Sequence, residues 1–239
     1  MTREQLVRDL QRVHGERLRC VLLYGSAADS VDGSAQGDQN VLVLVDEIDP
    51  TQLELLGATA RAWAEAGNPP PLELTVSEWM RSSNIFPMEY ADILVRHRVL
   101  TGALPSGVRV SRATLRTQTE FEAMSKVLRF RQGIMHAGTE ARRQRELLRA
   151  SHSTIMAIFR ATLRVAGDVP PRDKDGVITR VATLVGADPA PYLQVLTLVR
   201  GSAVPDAQLE GLLFGTLRGL EQVTAWLDAC EVADGDVVG

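Results

Sequence analysis

The chain is short of cysteine, of aromatic side chains and of uninterrupted apolar sequence. Cys20 and Cys230 are its two cysteines in 239 residues, which excludes a disulfide-stapled framework and a cysteine zinc site of the usual paired spacing. Both are read as inert thiols. No run reaches the roughly 20 apolar residues that a membrane-spanning helix needs. Met1-Thr-Arg-Glu-Gln also lacks the apolar stretch of a secretion signal. The expectation is a cytoplasmic protein with no membrane partner. Histidine is scarce too. His14, His97, His136 and His152 have no short spacing that would put two on one metal from a single helical turn, and each is read as a lone surface or packing residue. Strong charge of one sign is missing as well. The net charge is −4, and the imbalance is local: residues 1–110 hold 10 basic and 15 acidic side chains, residues 111–239 hold 16 and 15. An acidic first half makes a poor surface for duplex nucleic acid. It suits a site for divalent cations.

What is present divides into two patterns, and 45% apolar composition is enough for two modest cores. Residues 2–14 read as a helix with Leu6, Leu10 and Val13 on one face. Cys20-Val-Leu-Leu-Tyr24 and Asn40-Val-Leu-Val-Leu-Val45 read as strands, with a Gly-, Ser-, Ala- and Asp-rich stretch from Ala27 to Gly37 between them. Asp49-Pro-Thr opens a helix through about Ala66, with Leu53, Leu56, Ala60 and Trp63 as its buried stripe. Pro69-Pro-Pro71 forces extended chain into a third strand, Leu72 to Val76, in which Glu73 and Thr75 alternate with apolar residues. A short helix from Ser77 and an edge strand from His97 to Leu100 complete the segment. This order belongs to a small mixed sheet with helices on one side.

From about Leu115 the period becomes helical. Met124, Val127, Leu128, Ile134 and Met135 are read as one buried face, and Ile155, Ile158, Phe159 and Leu163 as another. Gly167 and Pro170-Pro171 mark a turn, followed by helices at Val177 to Val185, Pro191 to Arg200 and Pro205 to Cys230. The expected fold class is α+β: a mixed-sheet domain at 1–108, an all-α helical bundle at 109–232, and a flexible tail at 233–239. Gly211, Gly215 and Gly219 recur every four residues, which lets another helix approach closely, inside the bundle or across a homodimer.

One constellation carries chemistry. Gly25-Ser26 follows the first strand, and after eleven intervening residues Asp38-Gln39-Asn40-Val41 opens the second. This pattern resembles the signature of the nucleotidyltransferase superfamily, in particular the minimal and antibiotic nucleotidyltransferases, which also carry a helical second domain. The resemblance covers residues 18–102. It implies that Gly25 and Ser26 approach nucleotide phosphates and that acidic residues at i and i+2 of the next strand bind magnesium. A strand's two-residue period does point such a pair to one face, and two hard cations about 4 Å apart stabilise both attacking and leaving oxygens. By the same resemblance Glu73 is the third carboxylate. The metal set is then Asp38, Asn40 and Glu73, with Asp38 and Glu73 catalytic and Asn40 beside the nucleotide. The cofactors are magnesium and a nucleoside triphosphate, ATP by expectation.

Here the sequence departs from the family pattern. Position 40 is Asn, whose amide oxygen coordinates a cation without adding negative charge, so metal binding weakens. Asp38 as a turn cap, Asn40 as a polar turn residue and Glu73 as an ordinary solvent-facing strand residue are the plain alternatives.

Three functions follow. The first is transfer of a nucleoside monophosphate to a hydroxyl on a small-molecule or protein acceptor, with Glu120 or Glu122 as candidate bases by analogy to antibiotic nucleotidyltransferases. The second is a catalytically impaired nucleotide-binding or regulatory module. The third is an RNA-cleaving or toxin–antitoxin component, because Arg131 and His136 match the Arg-x4-His spacing of HEPN helical domains. Asp29 and Asp32 in the first loop are read as solvated, with contact to a substrate as the alternative, and the Arg142, Arg143, Arg145 and Arg149 face as a solvated helix face, with steering of a triphosphate or anionic partner as the alternative.

Overall fold

The computed structural model describes residues 1–25, 28, 39–232 and 235–238. Ser26, Asp29, Asp32 and Asp38 of the candidate loop and strand entrance lie outside the described residues. Contacts divide the chain into two compact units, Met1–Val110 with Val238–Gly239 and Ser111–Val237.

The first unit is an α+β sheet unit. Helix α1, Arg3–His14, starts at a capping box in which Thr2 and Gln5 satisfy each other's backbone N–H groups. Strand β1 is Leu18–Tyr24 and β2 is Asn40–Val45. Helix α2, Pro50–Glu65, begins where Asp49 accepts from the Thr51 N–H and Pro occupies the first turn. Strand β3, Leu72–Thr75, runs directly into α3, Val76–Arg81, through a second capping box of Thr75 and Glu78. Helix α4, Pro87–Val95, not anticipated from the sequence, precedes β4, His97–Gly102. The sheet order is β3-β2-β1-β4, with β2–β3 parallel and the β1 pairings antiparallel.

One face of this sheet, Val21, Leu23, Val41, Val43 and Val45, packs on Leu6 and Leu10 of α1 and on Leu56 and Trp63 of α2. The expected stripe of α2 is corrected at two positions, since Ala60 is half-buried and Leu53 exposed. Leu53 is 48% exposed, and Thr59 is buried in the seam instead, its hydroxyl donating to Asp9 at 3.3 Å. An added Cβ at Gly102 (φ +75) would stand 1.9 Å from the Arg19 carbonyl oxygen, so the β1–β4 edge admits no other residue there.

The second unit is all helix apart from a short ribbon end: α5 Arg112–Ala137, α6 Ala141–Val165, α7 Lys174–Val185, α8 Ala190–Val199 and α9 Asp206–Ala229. Phe130, Leu148, Val195, Leu198, Leu209 and Leu213 form its core. The expected buried face of α5 is corrected: Leu115, Thr119, Ala123, Val127 and Phe130 are buried, whereas Met124, Leu128 and Met135 are exposed. The true stripe keeps i, i+4 and i+3 steps, and Met124 and Leu128 each lie one residue, about 100°, around the helix from it. Gly215 and Gly219 of the glycine series serve packing within the unit. A Cβ at Gly215 would meet Pro191 at 2.5 Å and one at Gly219 would meet Tyr192 at 2.6 Å, so α8 lies directly against α9. The expected tail is in part a strand: β6, Asp236–Val238, pairs with β5, Val110–Ser111. Among the described residues no helix is long and apolar enough to cross a membrane. Cys20 and Cys230 are both free, and burial pushes the Cys20 thiol up to about 11.

Candidate functional site

Gly25 ends β1 at φ +71, a conformation that favours glycine. Its N–H donates to the Arg96 carbonyl at 3.2 Å, which ties the turn to the chain entering β4. A methyl group at Gly25 would stand 3.8 Å from Asn40 Nδ2. The two ends of the motif are therefore neighbours, as the spacing implied. Asn40 is opposite Tyr24, and Tyr24 is opposite His97. Directly opposed residues share a face, so His97, Tyr24 and Asn40 form a row across three strands at the Gly25 end. Tyr24 and His97 are members that motif reading missed, since only strand pairing brings them there.

Glu73 does not join them. In the parallel pairing Glu73 is in register with Val43 and Leu72 with Leu42. Glu73 thus lies on the helix-covered face of Val41, Val43 and Val45, while Asn40 lies on the opposite face with Leu42 and Leu44. Its side chain is 11% exposed, and Oε2 is 3.6 Å from Nε2 of the fully buried His14. His14 Nδ1 is in turn 3.4 Å from Gln52 Oε1. Neither Glu73 Oε1 nor His14 Nε2 has a hydrogen-bond partner. Desolvation raises the pKa of the Glu73 carboxyl, and the nearby His14 opposes that shift. The expectation of a solvent-facing or metal-facing Glu73 is corrected on both counts. The exposed member of this strand is Leu72, at 41%. His14 is likewise not a lone packing residue.

Asp38, the charged residue expected beside Asn40, lies outside the described residues. Among the described residues no three His, Cys, Asp or Glu side chains gather as a metal set, and Asn40, the member beside Gly25, carries no charge. An isolated amide oxygen is a poor substitute for the carboxylates that such a hard cation takes.

The other candidates are occupied elsewhere. Glu120 pairs with Arg116 at 3.2 Å, and Glu122 accepts from Gln118 Nε2 at 3.1 Å. Arg131 pairs with Glu221 at 2.6 Å. Arg131 and His136 sit five residues apart in the unbroken helix α5, roughly 140° apart around its axis, so the HEPN-like pair does not share a helix face. Arg142, Arg143 and Arg145 pair with Glu146, Glu140 and Asp206, which is the behaviour of a solvated helix face. On the sheet unit, Arg3 donates to Gln39 Oε1, and the Gln39 N–H donates to Asn68 Oδ1 at 3.0 Å. These two bonds anchor the entrance to β2.

No protein-family model and no curated protein sequence matches the chain. Among solved structures it is similar to a crystal structure of spectinomycin adenyltransferase AAD(9) from Enterococcus faecialis with ATP and spectinomycin. The TM-score is 0.57 at 10% identity, over 92% of this chain and 97% of that chain. At that identity the likeness is one of fold. The chain shares the α+β fold of that structure, a small mixed sheet accompanied by helices.

Proposed function

We propose that the protein binds a nucleoside triphosphate, ATP in the first instance, at the Gly25 end of its sheet, with transfer of the nucleoside monophosphate weakened or lost. It then works as a nucleotide-binding or regulatory module built on a nucleotidyltransferase-type fold. The observation that carries this reading is the closeness of Asn40 to Gly25 on one side of the sheet while Glu73 lies against His14 on the other. Gly25 stands at φ +71 beside Asn40, and two of the three expected ligand positions, Asn40 and Glu73, bring no charge to that end of the sheet. Binding of ATP needs a turn and polar groups, whereas transfer needs charge placed against the developing pyrophosphate. The fold neighbour's ATP supports nucleotide as the ligand class.

Binding and turnover are measured separately. Calorimetry should detect ATP binding, while pyrophosphate release with a broad panel of hydroxyl acceptors stays at background. Asn40→Asp should raise magnesium-dependent ATP affinity by about tenfold, through the one charge it restores. A wild-type protein that adenylylates an acceptor at ordinary enzyme rates would sink the impaired reading. It would favour a second one, transfer to a hydroxyl of a small molecule or protein, which is supported by the adenyltransferase whose fold this chain shares over nearly its full length.

A further inference from the structure

His97 stands in the same row as Asn40 and has no place in either reading so far. Its Nδ1 is 2.7 Å from the Ile93 carbonyl oxygen. A carbonyl only accepts, so Nδ1 carries a hydrogen, and in the neutral ring Nε2 is left with a lone pair. Such a nitrogen cannot donate to a phosphate oxygen. It can once it takes up a proton, and it is then a cation. The ring is held by one hydrogen bond, and the chain just before it is tied to the Gly25 turn. The helix end supplies the Ile93 carbonyl, and the preceding residue, Arg96, receives the Gly25 N–H through its own carbonyl. Among the described residues, the titratable groups on the strand and helix beside His97 are Tyr24 at this end of β1 and Glu89 and Asp92 on α4. Arg96 and Arg98 are its chain neighbours, and Arg98, opposite Leu23, falls on the other face.

We propose that His97 is the phosphate-binding cation of this site: ligand binding places a proton from solvent on Nε2, which then donates to a phosphate oxygen beside Gly25. The inference rests on the nucleotide reading and extends it. The positive charge that meets the phosphate then comes from an imidazolium two strands from Asn40. Binding is therefore coupled to proton uptake and does not require a divalent cation.

The test is titration calorimetry on the full chain at pH 8 with EDTA, in two buffers of different ionisation enthalpy, using ATP, inorganic triphosphate and adenosine as probes. For wild type, ATP and triphosphate should bind with uptake of a proton, and adenosine without it. His97→Gln retains a side-chain donor for the Ile93 carbonyl. It should lose the proton uptake and about tenfold in affinity for both phosphate ligands, with adenosine unchanged. His97→Ala, which also loses the bond to Ile93, should show the same binding loss together with a lowered Tm. ATP binding without proton uptake, or with uptake unchanged in His97→Gln, overturns the inference and leaves the nucleotide reading standing. Triphosphate binding that depends on His97 while ATP shows no added affinity from its base overturns the nucleotide reading and leaves the anion site standing. Wild type that binds neither ATP nor triphosphate overturns both.

Discussion

Glu73 and His152 are two titratable side chains whose burial has consequences that can be measured. Desolvation raises the Glu73 pKa, so the folded state favours the protonated acid. That contribution is complete below the unfolded value near 4.5 and is lost as pH rises through the raised folded value. Glu73→Gln, neutral at every pH, should therefore match wild type near pH 4 and exceed its stability at pH 8, read from urea denaturation at the two pH values. His152 behaves in the opposite sense. Burial, with Lys174, Arg160 and Arg200 nearby, pushes its imidazole down to about 4 from 6.5, and its Nε2 has no hydrogen-bond partner. The neutral ring is thus the folded form. Stability is full above pH 6.5 and falls as pH drops from there towards 4, by about 2–3 kcal/mol for this residue. His152→Gln should flatten that part of the stability–pH curve. Both residues show the limit of reading residue types along a chain. A Glu between two leucines of a strand is equally consistent with a site, with solvent and with a buried partner, and the neighbour that decides, His14, lies 59 residues away.

At the scale of elements the local signals were legible where the physics is local. Thr2 with Gln5, Asp49 before Pro50, and Thr75 with Glu78 each satisfy helix-end N–H groups within a turn, so starts could be placed from adjacent residues. The buried face of α5 was not legible, because Met124, Leu128 and Met135 also recur at helical spacing. Only the approach of α6 and α9 selects the stripe around Val127. The glycines of α9 make the same point in testable form. Gly219→Ala drives a methyl group against Tyr192, whose hydroxyl donates to the Thr216 carbonyl at 2.7 Å and whose ring packs edge-on to Phe159. A loss of about 2 kcal/mol is expected. Gly211→Ala meets nothing within 4 Å and should gain up to about 1 kcal/mol from helix propensity alone. Equal effects at the two positions in thermal denaturation would contradict the observed α8–α9 packing.

For the molecule as a whole, nucleotide binding and folding are linked by mass action. At a hundredfold excess over its dissociation constant, ATP should stabilise the folded state by about 2.7 kcal/mol and raise the Tm of the unfolding step that includes β1 and β2 by roughly 5–10 °C. Calorimetric scans with ATP and with adenosine would separate the phosphate contribution to that shift. The sequence by itself determined the division into a sheet unit and a helical unit, the number of long helices, and the placing of Gly25 and Asn40 at adjoining strand ends. Each of these follows from periodicity, caps and turn residues acting over a few positions. The tertiary structure alone decided which face of the sheet each side chain meets. A strand's period of two states that Asn40 and Leu42 share a side, but only the register of β3 against β2 turns Glu73 away from them, and only the β1–β4 pairing brings His97 into their row. Register depends on packing against α1 and α2, contacts made between residues far apart in the chain, and so no local pattern records it.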